Sequence, residues 1–119
     1  MPIYKVANVT KNTTLGGAIA LADSSEGRRK GLLKQDGLAD GEGLWIYPCE
    51  AVHTLFMRFE IDVIYLDGEK RVRKIAANLR PWRMSGCLTA KSVLELPAGM
   101  AKRTQTAVGD QLVFEKLEA

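Results

Sequence analysis

The stretch IDVIYLDGEKRVRKIAAN, residues 61–78, decides the fold. Five of the six residues from Ile61 to Leu66 are apolar, so an extended segment here is covered on both faces. Asp67-Gly68 is a strong signal for a two-residue hairpin loop, and EKRVRKIAAN (69–78) reads as the return strand. Asp62 interrupts the apolar run, and a carboxylate in such a place is costly unless it is paired. With a two-residue loop, Leu66 faces Glu69 and Asp62 faces Arg73. Asp62 is then either half of a cross-strand ion pair or a buried carboxylate that orients a catalytic or ligand-binding group. A longer loop changes the register and removes Arg73 as the partner.

Working outward, IYKVANV (3–9), TLGGAIALAD (14–23), GLWIYP (43–48), SVLELP (92–97) and VGDQLVFEKL (108–117) carry further strand patterns. Gly16 and Gly17 mark a turn or bulge, and Gly-Asp turns the chain before the last strand. DSSEGRRKGLLKQDG (23–37) predicts a short helix capped by Ser24 or Ser25, and AGMAKRTQT (98–106) one or two helical turns. LRPWRMSGC (79–87) reads as a loop. About seven short strands with one or two short helices predict a mainly β fold, an antiparallel β-sandwich or barrel. The 119 residues suit a single domain over 1–119.

Apolar residues make up 46% and charged residues 26%, as in ordinary globular chains, and the net charge is +3. That charge is mild, so nucleic acid is not the expected partner. The start, MPIYKVANVTKN, carries no export-signal pattern, and no apolar run approaches the roughly 20 residues of a membrane span. A cytoplasmic chain with no membrane partner is expected. Cys49 and Cys87 do not make a disulfide framework and are expected to stay as thiols.

Just before the hairpin, PCEAVHTLFM (48–57) holds Cys49, the only histidine, His53, and Met57, a set of soft-metal ligand types. Residues four apart on a strand are roughly 13 Å apart, so no regular structure lets all three bind one ion. A loop after Pro48 joins Cys49 to His53, with Cys87 as a third group, and this is the metal or redox alternative. A small hydrolase-like enzyme is the other alternative: His53 as base, oriented by Asp62, or Cys49 as nucleophile. A His53–Asp62 pair requires a chain break at RFE (58–60). No Gly-x-Ser-x-Gly, His-Glu-x-x-His or phosphate-loop pattern occurs. Arg80, Trp82 and Arg83 put cations beside an aromatic in a loop, where binding groups concentrate.

GLL (31–33), GLWIYPCEAVHTLFMRFEIDVIYLDGE (43–69), RPW (80–82), VLELPAG (93–99) and VGDQL (108–112) occur in this order. Together they resemble the family called domain of unknown function 192, over roughly residues 15–115. Leu33 departs from the methionine the family often has there. The resemblance implies a compact β-sandwich or barrel with small helices and no established activity. It places Thr54, Met57, Asp62, Leu96, Pro97 and Gly99 on the family's pattern. Pro97 is expected to end a strand and Gly99 to ease a tight turn. The reading is a non-catalytic module that binds a small molecule or a protein, with no cofactor, no metal and no particular oligomeric state implied. The expected cleft is lined by His53, Thr54, Met57, Asp62, Arg80 and Trp82.

Overall fold

The computed structural model describes residues 2–22 and 36–117. The helix expected over 23–37 lies outside the described residues except for its last two. Among the described residues nine strands form: β1 (Ile3–Asn8), β2 (Thr13–Ala22), β3 (Glu42–Ile46), β4 (Ala51–His53), β5 (Ile61–Leu66), β6 (Val72–Leu79), β7 (Met84–Gly86), β8 (Ser92–Pro97) and β9 (Leu112–Lys116). One short helix, α1 (Met100–Arg103), follows β8. Seven strands make one sheet in the order β6-β5-β8-β3-β2-β1-β9, and β4 pairs with β7 in a separate ribbon.

The mainly β, barrel-like expectation holds, with one departure in topology: β2 and β3 run parallel, whereas the other ladders are antiparallel. The sheet curls into a half-barrel until its edges touch at one end. There Arg71 bridges Gln111, Val72 N donates to Asp110 O at 2.9 Å, and Leu112 N donates to Lys70 O at 3.0 Å.

Strand alternation sorts the apolar residues into two layers. The concave face is filled from every strand of the sheet, by Val6, Leu15, Trp45, Ile64, Leu94, Leu112 and Val72 among others. The convex face of β3, β5 and β8 carries Leu44, Ile61, Val63, Tyr65 and Val93. It is covered by Val52, Met57, Phe59, Cys49, Cys87 and Ala90, from the ribbon and its flanking loops. This second layer is why β5 and β8 are buried along their whole length. On the concave side Gly43 allows β3 and β8 to approach closely, since a Cβ would lie 2.6 Å from Glu95 O.

The hairpin after β5 is not the two-residue turn expected. Asp67 N donates to Arg71 O and Lys70 N to Asp67 O, so Gly68, Glu69 and Lys70 form a three-residue loop. Lys70, not Gly68, takes the left-handed conformation at φ 64. The Asp67 side chain selects this turn by accepting from Glu69 N at 2.9 Å and Arg71 N at 3.0 Å. Register shifts follow, and Tyr65 faces Lys74 while Ile61 faces Leu79. Asp62 therefore does not meet Arg73, whose Nε points instead toward Thr89 Oγ1 at 3.4 Å. The segment expected as a loop over 79–87 contains β7, a strand too short for its three residues to show a period.

Candidate functional site

Asp62 is fully buried on the concave side. Its Oδ1 accepts from Asn78 N at 2.8 Å and its Oδ2 from Ala101 N at 2.8 Å. Ala101 lies in the first turn of α1, where amides lack intrahelical partners. Gly99, at φ 92, turns the chain from Pro97 into that helix. The Ile-Asp-Val and Leu-Glu-Leu-Pro-Ala-Gly segments thus meet through one carboxylate.

Thr54 is fully buried and ties two loops together. Its Oγ1 donates to Arg80 O at 2.6 Å and accepts from Arg83 N at 2.9 Å. Its amide donates to Arg83 O, and its carbonyl accepts from both Met57 N and Trp82 N. Met57 packs into the convex-side core. His53 is half-buried on β4, opposite Met84, and among the described residues its Nδ1 has no hydrogen-bond partner. Among the described residues no hydrogen bond joins His53 to Asp62, whose two oxygens accept from backbone amides. Among the described residues no three His, Cys, Asp or Glu side chains converge as a metal ion needs.

What the Thr54 clasp does bring together is a tip of exposed side chains. Phe56 is 68% exposed, Trp82 56% and Met84 80%. The Phe56 and Trp82 rings lie 4.7 Å apart between centroids, at 59°. Both residues are left-handed, at φ 68 and φ 65. Each such bulky residue costs about 1–2 kcal/mol and persists only where its surroundings over-determine it. The Thr54 bonds to Met57, Arg80, Trp82 and Arg83 supply that constraint. Arg80 and Arg83 are exposed beside the rings. Of the six expected cleft residues, then, Trp82 and Arg80 reach the surface, Thr54 positions them, His53 is half-buried on β4, and Met57 and Asp62 are buried. Phe56 and Met84 escaped sequence reasoning. Phe56 sits in an apolar run that reads as interior, and only its backbone angle turns it outward.

Replacing Thr54 by valine tests the clasp. The change keeps the shape but leaves Arg80 O and Arg83 N without a partner. A loss of about 2–3 kcal/mol is expected, together with weaker near-ultraviolet circular dichroism from the Phe56–Trp82 pair. An unchanged melting curve and spectrum would show that the clasp is dispensable.

A second polar group lies in the convex-side layer. Glu95 is 5% exposed, between its cross-strand partners Leu44 and Val63, and no hydrogen bond from the described residues reaches its side chain. Burial pushes its carboxyl up to about 7. On the same face the buried Tyr65 hydroxyl has no hydrogen bond of good geometry among the described residues. Burial raises its pKa, Ser85 opposes the shift, and Cys49, Cys87 and Glu95 add to it. Across the molecule, burial alone would raise Asp110, but hydrogen bonds from Asn8, Lys11 and Ala107 N and the Lys11 charge hold it below the usual carboxylate range.

Comparison with known proteins fits this architecture. A UPF0127 protein of Pyrococcus abyssi is 35% identical over 114 residues, spanning 90% of this chain and 94% of the relative. A UPF0127 protein of Pyrococcus furiosus is 32% identical over 116 residues, spanning 92% and 97%. A crystal structure of a protein of unknown function from Novosphingobium aromaticivorans superposes with a TM-score of 0.80 at 26% identity, covering 95% of this chain and 84% of the other. A putative transcription regulator from Sinorhizobium meliloti superposes at 0.81 with 21% identity, covering 95% and 92%, and shares the fold. The DUF192 family profile, described as Uncharacterized ACR, COG1430, matches residues 6–114. With that match running through both halves of the sheet, the ribbon and α1, the chain belongs to the DUF192 family.

Proposed function

We propose that this chain is a non-catalytic binding module whose contact surface is the Phe56–Trp82 tip, and that its partner is a protein segment carrying acidic groups beside an apolar anchor. The observation that supports this reading is the pair of exposed aromatics, both held in a strained conformation by the buried Thr54 clasp. A fold without a use for that geometry gains stability by placing glycine there. Aromatic and arginine side chains are the groups that dominate binding energy at protein interfaces. Arg80 and Arg83 beside the rings favour an anionic partner. The rings meet each other at 59° instead of offering parallel faces for successive bases, which favours a protein segment over a single nucleic-acid strand.

The test is a panel of acidic peptides with one Leu or Trp, basic counterparts, a single-stranded oligonucleotide and anionic vesicles, titrated by calorimetry. Binding to acidic peptides that weakens with salt is expected. Trp82→Gly should weaken it at least about tenfold. The same variant should melt no lower than the parent, because glycine relieves the left-handed strain by about 1 kcal/mol. Binding that survives Trp82→Gly, or appears only for the oligonucleotide or the vesicles, overturns the proposal.

A further inference from the structure

Both cysteines of the chain lie at the base of the β4–β7 ribbon, at the end away from the aromatic tip. The ladder pairs Ala51 with Gly86, and Cys87 N donates to Glu50 O at 2.8 Å, so Glu50 and Cys87 are the next cross-strand pair. Cys49 is then one residue diagonal to Cys87. In a regular ladder such a step spans about 5.5–6.5 Å between Cα atoms, inside the reach of a disulfide. Regular alternation would point the two side chains to opposite faces. The ladder ends at Glu50, however, and Cys49 N donates to Lys91 O instead. Both thiols consequently pack against the same convex-side core, and both act on the Tyr65 hydroxyl. Both side chains are half-buried.

We propose that Cys49 and Cys87 are a dithiol–disulfide couple, closed by a low-molecular-weight disulfide such as oxidised glutathione. The geometry assigns the first attack to Cys87. Its Sγ lies 3.4 Å from Thr89 Oγ1, a hydroxyl that can donate to a thiolate. Cys49 Sγ donates to Ala51 O at 3.1 Å. The Cys87 thiolate attacks one sulfur of the glutathione disulfide, forming a mixed disulfide and releasing one glutathione thiolate. Cys49, losing its proton to solvent, then attacks the Cys87 sulfur and expels the second. Two electrons pass from the protein thiols to glutathione, the two released thiolates take up the two protons, and one intramolecular S–S bond remains. The bond staples the ribbon that carries the aromatic tip. The couple is independent of what that tip binds.

The experiment uses the reduced full chain at low micromolar concentration with oxidised glutathione at about pH 8, where free thiols are partly ionised. Samples are quenched with an alkylating agent and read by intact mass and peptide mapping. The expected product lacks two hydrogen atoms, retains no glutathione, and joins the Cys49 and Cys87 peptides. Its melting midpoint rises by roughly 5–10 °C and returns on reduction. Cys49→Ser should accumulate one glutathione on Cys87, faster than Cys87→Ser does on Cys49. Two thiols still open to alkylation, a chain with two glutathiones, or a cross-linked dimer overturns the couple. Faster reaction at Cys49 overturns the assigned order.

Discussion

Replacing Asp62 by asparagine is expected to cost about 3 kcal/mol of folding stability and to lower the melting midpoint by roughly 10 °C. The two carboxylate oxygens accept from Asn78 N and Ala101 N, each at 2.8 Å, in a fully buried site. An asparagine side chain offers one acceptor oxygen, and its NH2 group would face the other backbone donor. One buried amide is then left unpaired beside a second donor, which costs more than the mean value of a hydrogen bond. Alanine should be no better, since it orphans both amides and opens a cavity. Hydrogen exchange locates the damage: the Ala101 and Asn78 amides should lose protection before those of β1 and β2. An Asp62→Asn variant that melts with the parent would mean that water replaces the lost acceptor, and the carboxylate would need another reason to be there.

Glu95 predicts an effect of similar size and opposite sign. Its carboxyl is raised from 4.5 to about 7 by burial. A group whose folded pKa lies above its unfolded one stabilises the fold in its protonated form. That contribution is complete below about pH 4.5, fades between 4.5 and 7, and is gone above. The difference corresponds to about 3 kcal/mol. Glu95→Gln keeps the shape and removes the ionisation. The variant should therefore match the parent at pH 4.5 and be more stable by about 3 kcal/mol above pH 7. Denaturant titrations across that range check this, and parallel pH profiles for the two proteins would refute it. Asp110 acts in the other direction, because its depressed carboxyl contributes stability above the ordinary carboxylate range and loses it as pH falls through that range.

The β class, the main strands and the helical turn after Pro97 were legible in the sequence, because alternation and turn residues are local signals. So was the anomaly at Asp62, as a carboxylate inside an apolar run. Glu95 carries the same signal in SVLELP and was open to the same reading. The partner of Asp62 was not legible. It depends on a three-residue loop chosen by the Asp67 side chain and on a helix amide 39 residues away. The ribbon was hidden because three-residue strands carry no period. The tip was hidden because Phe56 is turned outward by bonds from Thr54 to residues 26 and 29 positions further along. Short-range sterics and hydropathy determined which segments are strands. Which way the loop side chains face, and which buried carboxyl is satisfied, were decided by contacts between distant segments, which exist only after the sheet has curled.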